Sequence, residues 1–182
     1  MTPSEGELRP ETPGELDGVA AGEQALVALP GTKFKYEMLP ERAFENLLVV
    51  SIGRSPTQIE RALEQRGVPT RNVGVVPITG SSVNYEGPMW TSNRVSPMDF
   101  TGISIEFNRG FGHLKPGTGW VLVDSVSILL MYAEVNRVYR LLDSIVGTCR
   151  TRDVTGVYTV DGNAVTPETL NRFRGLFDEF VE

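Results

Sequence analysis

Cysteine, histidine and lysine are almost absent from this sequence of 182 residues. There is one cysteine, Cys149, and one histidine, His113. A single cysteine excludes an internal disulfide, and with one histidine no Cys/His metal cluster can be assembled. Cys149 falls in a helical pattern and is read as a small buried apolar residue. Lysine occurs three times, at Lys33, Lys35 and Lys115, and the other basic residues are arginines. The formal charge is −6 and the sequence pI is about 4.9. Nucleic acid needs a basic face, so this balance disfavours it as the main partner. No apolar run reaches membrane-spanning length, which argues against membrane insertion. The N-terminus lacks the basic-then-apolar order of a signal peptide, so a cytoplasmic location is expected.

What is present is enough for one domain with a real core: 40% of residues are hydrophobic and 22% charged. Residues 1–23, "MTPSEGELRPETPGELDGVAAGE", are rich in Pro, Gly and Glu. They carry little apolar surface to offset the entropy of ordering, and are expected to be a disordered acidic tail. The domain is then residues 24–182.

Within the domain, "ALVAL" (25–29), "NLLVVSI" (46–52), "NVGVVPI" (72–78), "GWVLVD" (119–124) and "VTGVYTV" (154–160) are short and continuously apolar. Such runs predict strands buried on both faces, as in a parallel sheet. Helical patterns lie between them. "SPTQIERALEQRG" and "SPMDFTGISIEFNRGF" both open on a Ser-Pro cap, and "SILLMYAEVNRVYRLLDSIVGTCR" carries one apolar stripe. "TPETLNRFRGLFDEFVE" predicts a capped terminal helix with Leu170, Phe173, Phe177 and Phe180 on its apolar side. The expectation is a layered α/β fold around a mostly parallel sheet of about five strands. Ligands of such sheets bind beyond the carboxyl ends of the strands, so the tips are where chemistry is sought.

At the first tip, "ALPGTKFK" (28–35) approaches a phosphate loop, G-x-x-x-x-G-K-[ST], without reaching it. Ala28 takes the first glycine's place and Lys33 the second's. Phe34 falls on the lysine and Lys35 on the hydroxyl. If nucleotide binds, Gly31, Thr32, Lys33 and Lys35 would hold its phosphates. Asp124, at the end of "GWVLVD", would then serve the magnesium; otherwise it caps a helix or anchors a loop.

The second tip makes a resemblance specific. "NLLVVSIGRSPTQIERALEQRGV" resembles the second strand and helix of RecA/KaiC-type ATPase domains. "GWVLVDSVSILL" resembles their magnesium-site strand, and "LLDSIVGTCRTRDVTGVYTVD" the next helix and strand. The likeness covers about residues 25–181 and implies a three-layer RecA/KaiC-like domain. The pattern "SPMDFTGISI … VDSVSILLMYAEVNRVYRLLDSI … LFDEFVE" is similar to a haloarchaeal family of such domains lacking a proper phosphate loop, and the scarcity of lysine agrees with that source. The resemblance places the family's acidic pair, the base for water attack, on Gly53 and Arg54. An arginine cannot act as a general base. The resemblance thus implies a degenerate ATPase: a non-catalytic regulatory or scaffolding protein, with a protein partner or self-assembly and no cofactor. The alternatives are a weak ATP-binding switch or slow ATPase using Lys33 or Lys35 with Asp124, and a DNA-recombination accessory.

Other readings are thinner. His113 lies in a glycine-rich link and is read as a solvated loop residue. Asp99 and Glu106 are seven apart on one predicted helix, too far for paired carboxylates. The link 79–95, "TGSSVNYEGPMWTSNRV", lacks periodicity and is long enough to be functional. Tyr85, Met89, Trp90 and Arg94 are its candidate partner-binding residues, unless Trp90 folds back over the sheet edge.

Overall fold

The structure is a computed structural model and describes residues 16–31 and 34–182. The five apolar runs form β1 (Gln24–Leu29), β2 (Leu47–Ile52), β3 (Val73–Ile78), β5 (Trp120–Asp124) and β6 (Thr155–Asp161). Two short strands, β4 (Trp90–Thr91) and β7 (Glu179–Val181), extend the edges. The sheet therefore has seven strands rather than about five, in the order β4-β3-β2-β5-β6-β1-β7, and every pairing is parallel.

Alternation along each strand feeds two cores, one on each face. Leu48, Val50, Val121, Val123 and Tyr158 point toward helices α2 (Phe100–Phe111), α4 (Val135–Thr151) and α5 (Pro167–Arg174). Leu47, Val49, Leu122 and Val157 point toward helix α1 (Pro56–Arg66) and two 3-10 turns, Tyr36–Met38 and Glu41–Glu45. Helix, sheet and helix give the three layers of an α/β domain.

Local chemistry sets the helix ends. Ser55 and Gln58 form a reciprocal capping box at α1, with Pro56 in its first turn. Thr166 caps α5 in the same position relative to Pro167. In α2 the cap is Asp99, which accepts from the Gly102 amide, three residues later than the expected Ser96. Ser96 instead closes a local turn by accepting from the Met98 amide. The expected long helix from Ser127 is interrupted: a short turn of helix, α3 (Val126–Leu129), precedes α4.

Two expectations change in kind. The terminal helix ends at Arg174; the chain turns at Gly175 and continues as β7 against β1. Pairing there satisfies an otherwise open edge of β1, and Asp178 ties the turn down by accepting from the Gln24 amide and pairing with Arg150. The expected tail, residues 1–23, is joined to the core at its C-terminal end. Residues 1–15 lie outside the described residues, but Leu16 is fully buried and Val19 nearly so, both in the core under α1. The Leu16 amide donates to the Met38 carbonyl, and Arg42 donates to the carbonyls of Asp17 and Val19. A domain boundary at residue 23 would cut into this core.

Candidate functional site

The order of the sheet locates a switch point. From β2 the chain moves outward to β3 and β4, whereas from β5 it moves the other way, to β6. A crevice opens where neighbouring strands diverge like this, at their carboxyl ends. A cleft of ≈ 400 Å³ is found there, lined by Ile52, Gly53 and Arg54 after β2, by Gln58, Arg61, Ala62 and Gln65 of α1, and by Asp124 and Ile128 after β5.

The turn after β2 is built around Gly53. Its φ of 115° is one that side-chain-bearing residues avoid, and a Cβ there would come within 2.9 Å of Ile128 Cδ1. Ser51 Oγ donates to the Arg54 carbonyl at 2.7 Å and holds the turn. Neither position of the acidic pair implied by the resemblance carries an acid, and the first is closed to one by its backbone.

Arg54 is half-buried. Its Nη2 donates to the Phe34 carbonyl at 3.1 Å, and its guanidinium lies 5.7 Å over the Tyr36 ring. Its Nη1 is buried with no hydrogen-bond partner, as is the Tyr36 hydroxyl. Phe34 is 1% exposed and meets Tyr36 edge-on, with ring centroids 5.6 Å apart. The residue expected at the phosphate-loop lysine position is thus an inward core residue. Beyond it the chain enters a 3-10 turn rather than an α-helix, because Pro40 and the inward aromatics Tyr36 and Phe44 set the path. A three-residue turn provides no helix N-terminus to receive a phosphate.

Asp124 is buried, and its Oδ1 accepts from the Thr159 hydroxyl at 2.7 Å. Burial pushes its carboxyl up, while the Thr159 hydrogen bond and the Arg54 charge pull the other way. Burial, and then the Asp124 charge, push the Tyr36 hydroxyl up. Asp124 therefore ties the ends of β5 and β6 together while facing the cleft floor.

That shift carries a prediction. A carboxyl whose folded pKa lies above its unfolded value contributes stability that is fully present below the unfolded pKa and is lost as pH rises through the folded one. Asp124→Asn keeps an acceptor for Thr159 and removes the buried charge. The variant is expected to gain stability relative to the wild type as pH rises from about 4, the ordinary carboxylate range, toward neutral. Urea denaturation of both proteins at several pH values checks this; a gap that stays constant with pH contradicts it.

The other candidates are dispersed. Gly31 and Lys35 are not among the residues lining the cleft, and Thr32 and Lys33 lie outside the described residues. The Pro30 carbonyl accepts from Asn163 and the Leu29 carbonyl from the Gly162 amide, so the tip of β1 is fastened to the tip of β6. In the 79–95 link, Met89 is 4% exposed and belongs to the core under α1. Trp90 is half-buried on β4, against His113 at 5.1 Å between centroids. Tyr85 and Arg94 line a second cleft of ≈ 380 Å³ at that edge. Asp99 is a helix cap, and Glu106 pairs with Arg109 at 3.0 Å. Cys149 is buried, its thiol pushed up to about 12 by burial. Among the described residues no group of three or more His, Cys, Asp or Glu is placed to hold a metal ion, and no helix is long and apolar enough to cross a membrane.

Sequence reasoning missed Tyr36, Thr159 and the α1 wall. The spacing of Gln58, Arg61, Ala62 and Gln65 along one helix face was a usable signal for the last.

Comparison with solved structures finds this fold in a KaiC-like protein from the hyperthermophilic archaeon Pyrococcus horikoshii OT3. The TM-score is 0.56 at 14% identity, over 86% of this chain and 70% of that one. A second protein from the same organism, PH0250, is similar with a TM-score of 0.56 at 15% identity, over 98% and 86% of the two chains. At such identities the likeness is one of fold. No curated protein matches the chain. A family model described as a family of unknown function, DUF7504, matches residues 37–182.

Proposed function

We propose, for a chain that belongs to the family of unknown function DUF7504, a RecA/KaiC-like domain that does not hydrolyse nucleotide and works as a regulatory or scaffolding protein. It binds another protein or a second copy of itself. The observation that carries this reading is the turn after β2. There Gly53 has a backbone that resists replacement by an acid, and the next residue is an arginine. Hydrolysis of a phosphoanhydride needs a group to orient or deprotonate water and cations to stabilise the departing charge. Arg54 cannot take a proton from water. Phe34 packs into the core where a phosphate-binding lysine would be needed, and Asp124 is already engaged by Thr159. These residues fit ATP and magnesium poorly.

The scarcity of lysine and the acidic balance support a salt-rich host, in which such a surface stays soluble. A weak nucleotide switch is the rival reading, favoured by Asp124 lying in a switch-point cleft. Titration with a fluorescent ATP analogue and magnesium separates the two, and ATP turnover tests the absence of catalysis. The expected results are no saturable binding and background turnover.

A further inference from the structure

We propose that the cleft between the ends of β2 and β5 binds an acidic peptide segment of a partner protein, its carboxylates held by the guanidinium groups of Arg54 and Arg61. This deepens the partner-binding reading and rests on it.

The cleft is an arginine site on an acidic chain. Arg61 and Arg54 both line it, with Gln58 and Gln65 alongside. The acids of α1, Glu60 and Glu64, lie beside Tyr85, and neither lines the cleft. Among the described residues the one acid lining it is Asp124, which is buried and bonded to Thr159. Two ion pairs form among the described residues, Arg109–Glu106 and Arg150–Asp178, and neither cleft arginine takes part. Arg54 is held in place by its Nη2 bond to the Phe34 carbonyl and adds its positive charge to the cleft wall, while Arg61 is exposed.

The lining favours a peptide carboxylate over a nucleotide phosphate. The α1 capping box uses the Ser55 and Gln58 amides and Pro56 has no N–H, and Arg54 and Arg61 supply the charge of the cleft. The exposed Arg61 fork can match a carboxylate bidentately, with the Arg54 charge beside it. Gln65 offers the donor and acceptor that a peptide amide requires, Gln58 its side-chain NH₂, and Ala62 and Ile128 offer apolar contact for side-chain methylenes. Among the described residues none that lines the cleft is aromatic, so these offer a base no ring to stack on.

The test monitors the arginine Nε–Hε signals of the ¹⁵N-labelled protein by NMR. The probes are the peptide acetyl-Asp-Glu-Leu-Glu-Asp-amide, its Asn/Gln analogue, inorganic phosphate, and ATP with magnesium. The acidic peptide is expected to shift the Arg54 and Arg61 signals saturably, and the Asn/Gln analogue is not. Arg61 is exposed, so Arg61→Glu should leave the fold intact, and it should weaken the peptide at least about tenfold. Equal shifts with the neutral analogue, no effect of Arg61→Glu, or no shift at all overturns the proposal. Displacement of the peptide by phosphate or ATP overturns it in favour of a phosphate site. ATP turnover is measured separately: turnover defeats the non-catalytic reading and leaves the peptide result to stand on its own.

Discussion

Replacing Phe34 by alanine is expected to destabilise the domain by about 3–5 kcal/mol, the cost of emptying a fully packed aromatic site. The side chain is 1% exposed, stands edge-on to Tyr36, and shares a core with Phe44, Ile59 and Leu63. Its carbonyl anchors Arg54, so the cavity would open beside the turn after β2. Phe34→Lys, which restores the residue type a phosphate loop needs, should cost at least as much, because it drives an ammonium into that core. It should also confer no ATP turnover. Urea denaturation measures both, read as a shift in midpoint at unchanged slope. A loss below about 1 kcal/mol for Phe34→Ala would be that of a dispensable surface residue. It would mean that the tip of β1 can open, and the obstruction to a phosphate loop would be gone.

Trp90→Ala is expected to cost about 3 kcal/mol, the lower end for an aromatic truncation because the indole is only half-buried. The ring lies over two glycines that leave room for it. A Cβ on Gly74 would stand 3.2 Å from Trp90 Cε3, and one on Gly110 3.2 Å from Cζ3. His113 flanks the ring at 5.1 Å. Trp90, on the end strand, thus covers the gap between β3 and α2, which is the work of a lid on the sheet edge. An interface anchor would behave differently: its loss would cost about 2 kcal/mol or more of partner affinity and little stability. Denaturation run beside a binding measurement separates them. A stable Trp90→Ala protein that no longer binds would return the 79–95 segment to the head of the partner-binding candidates.

The central strands and their layering were legible because runs such as "LLVVSI" and "WVLVD" are apolar at nearly every position, as a sheet covered on both sides demands. The edge strands were not. β4 and β7 have two and three residues, too few for a pattern, and exist because a neighbouring strand offers unpaired amides. Leu170, Phe173, Phe177 and Phe180 keep a helical spacing past the real end of α5. In the fold Phe177 packs on Tyr158 and Phe180 under Arg174, on different elements of structure. The break before α4 carries no glycine or proline to announce it. Leu16 was concealed by the Pro- and Glu-rich residues around it, since composition averages away a single buried side chain. At the site, Gly53, Arg54 and Asp124 were singled out from the chain alone. Tyr36 and Thr159 join them through contacts between segments distant in sequence, which no local pattern records.

The most direct measurement is phosphate release from ATP and magnesium at high protein concentration, with Asp124→Ala as the control. The expected result is release at the rate of buffer alone for both proteins. Release above that rate by the wild type, abolished in Asp124→Ala, would contradict the non-catalytic reading and establish a working nucleotide site at the ends of β2 and β5.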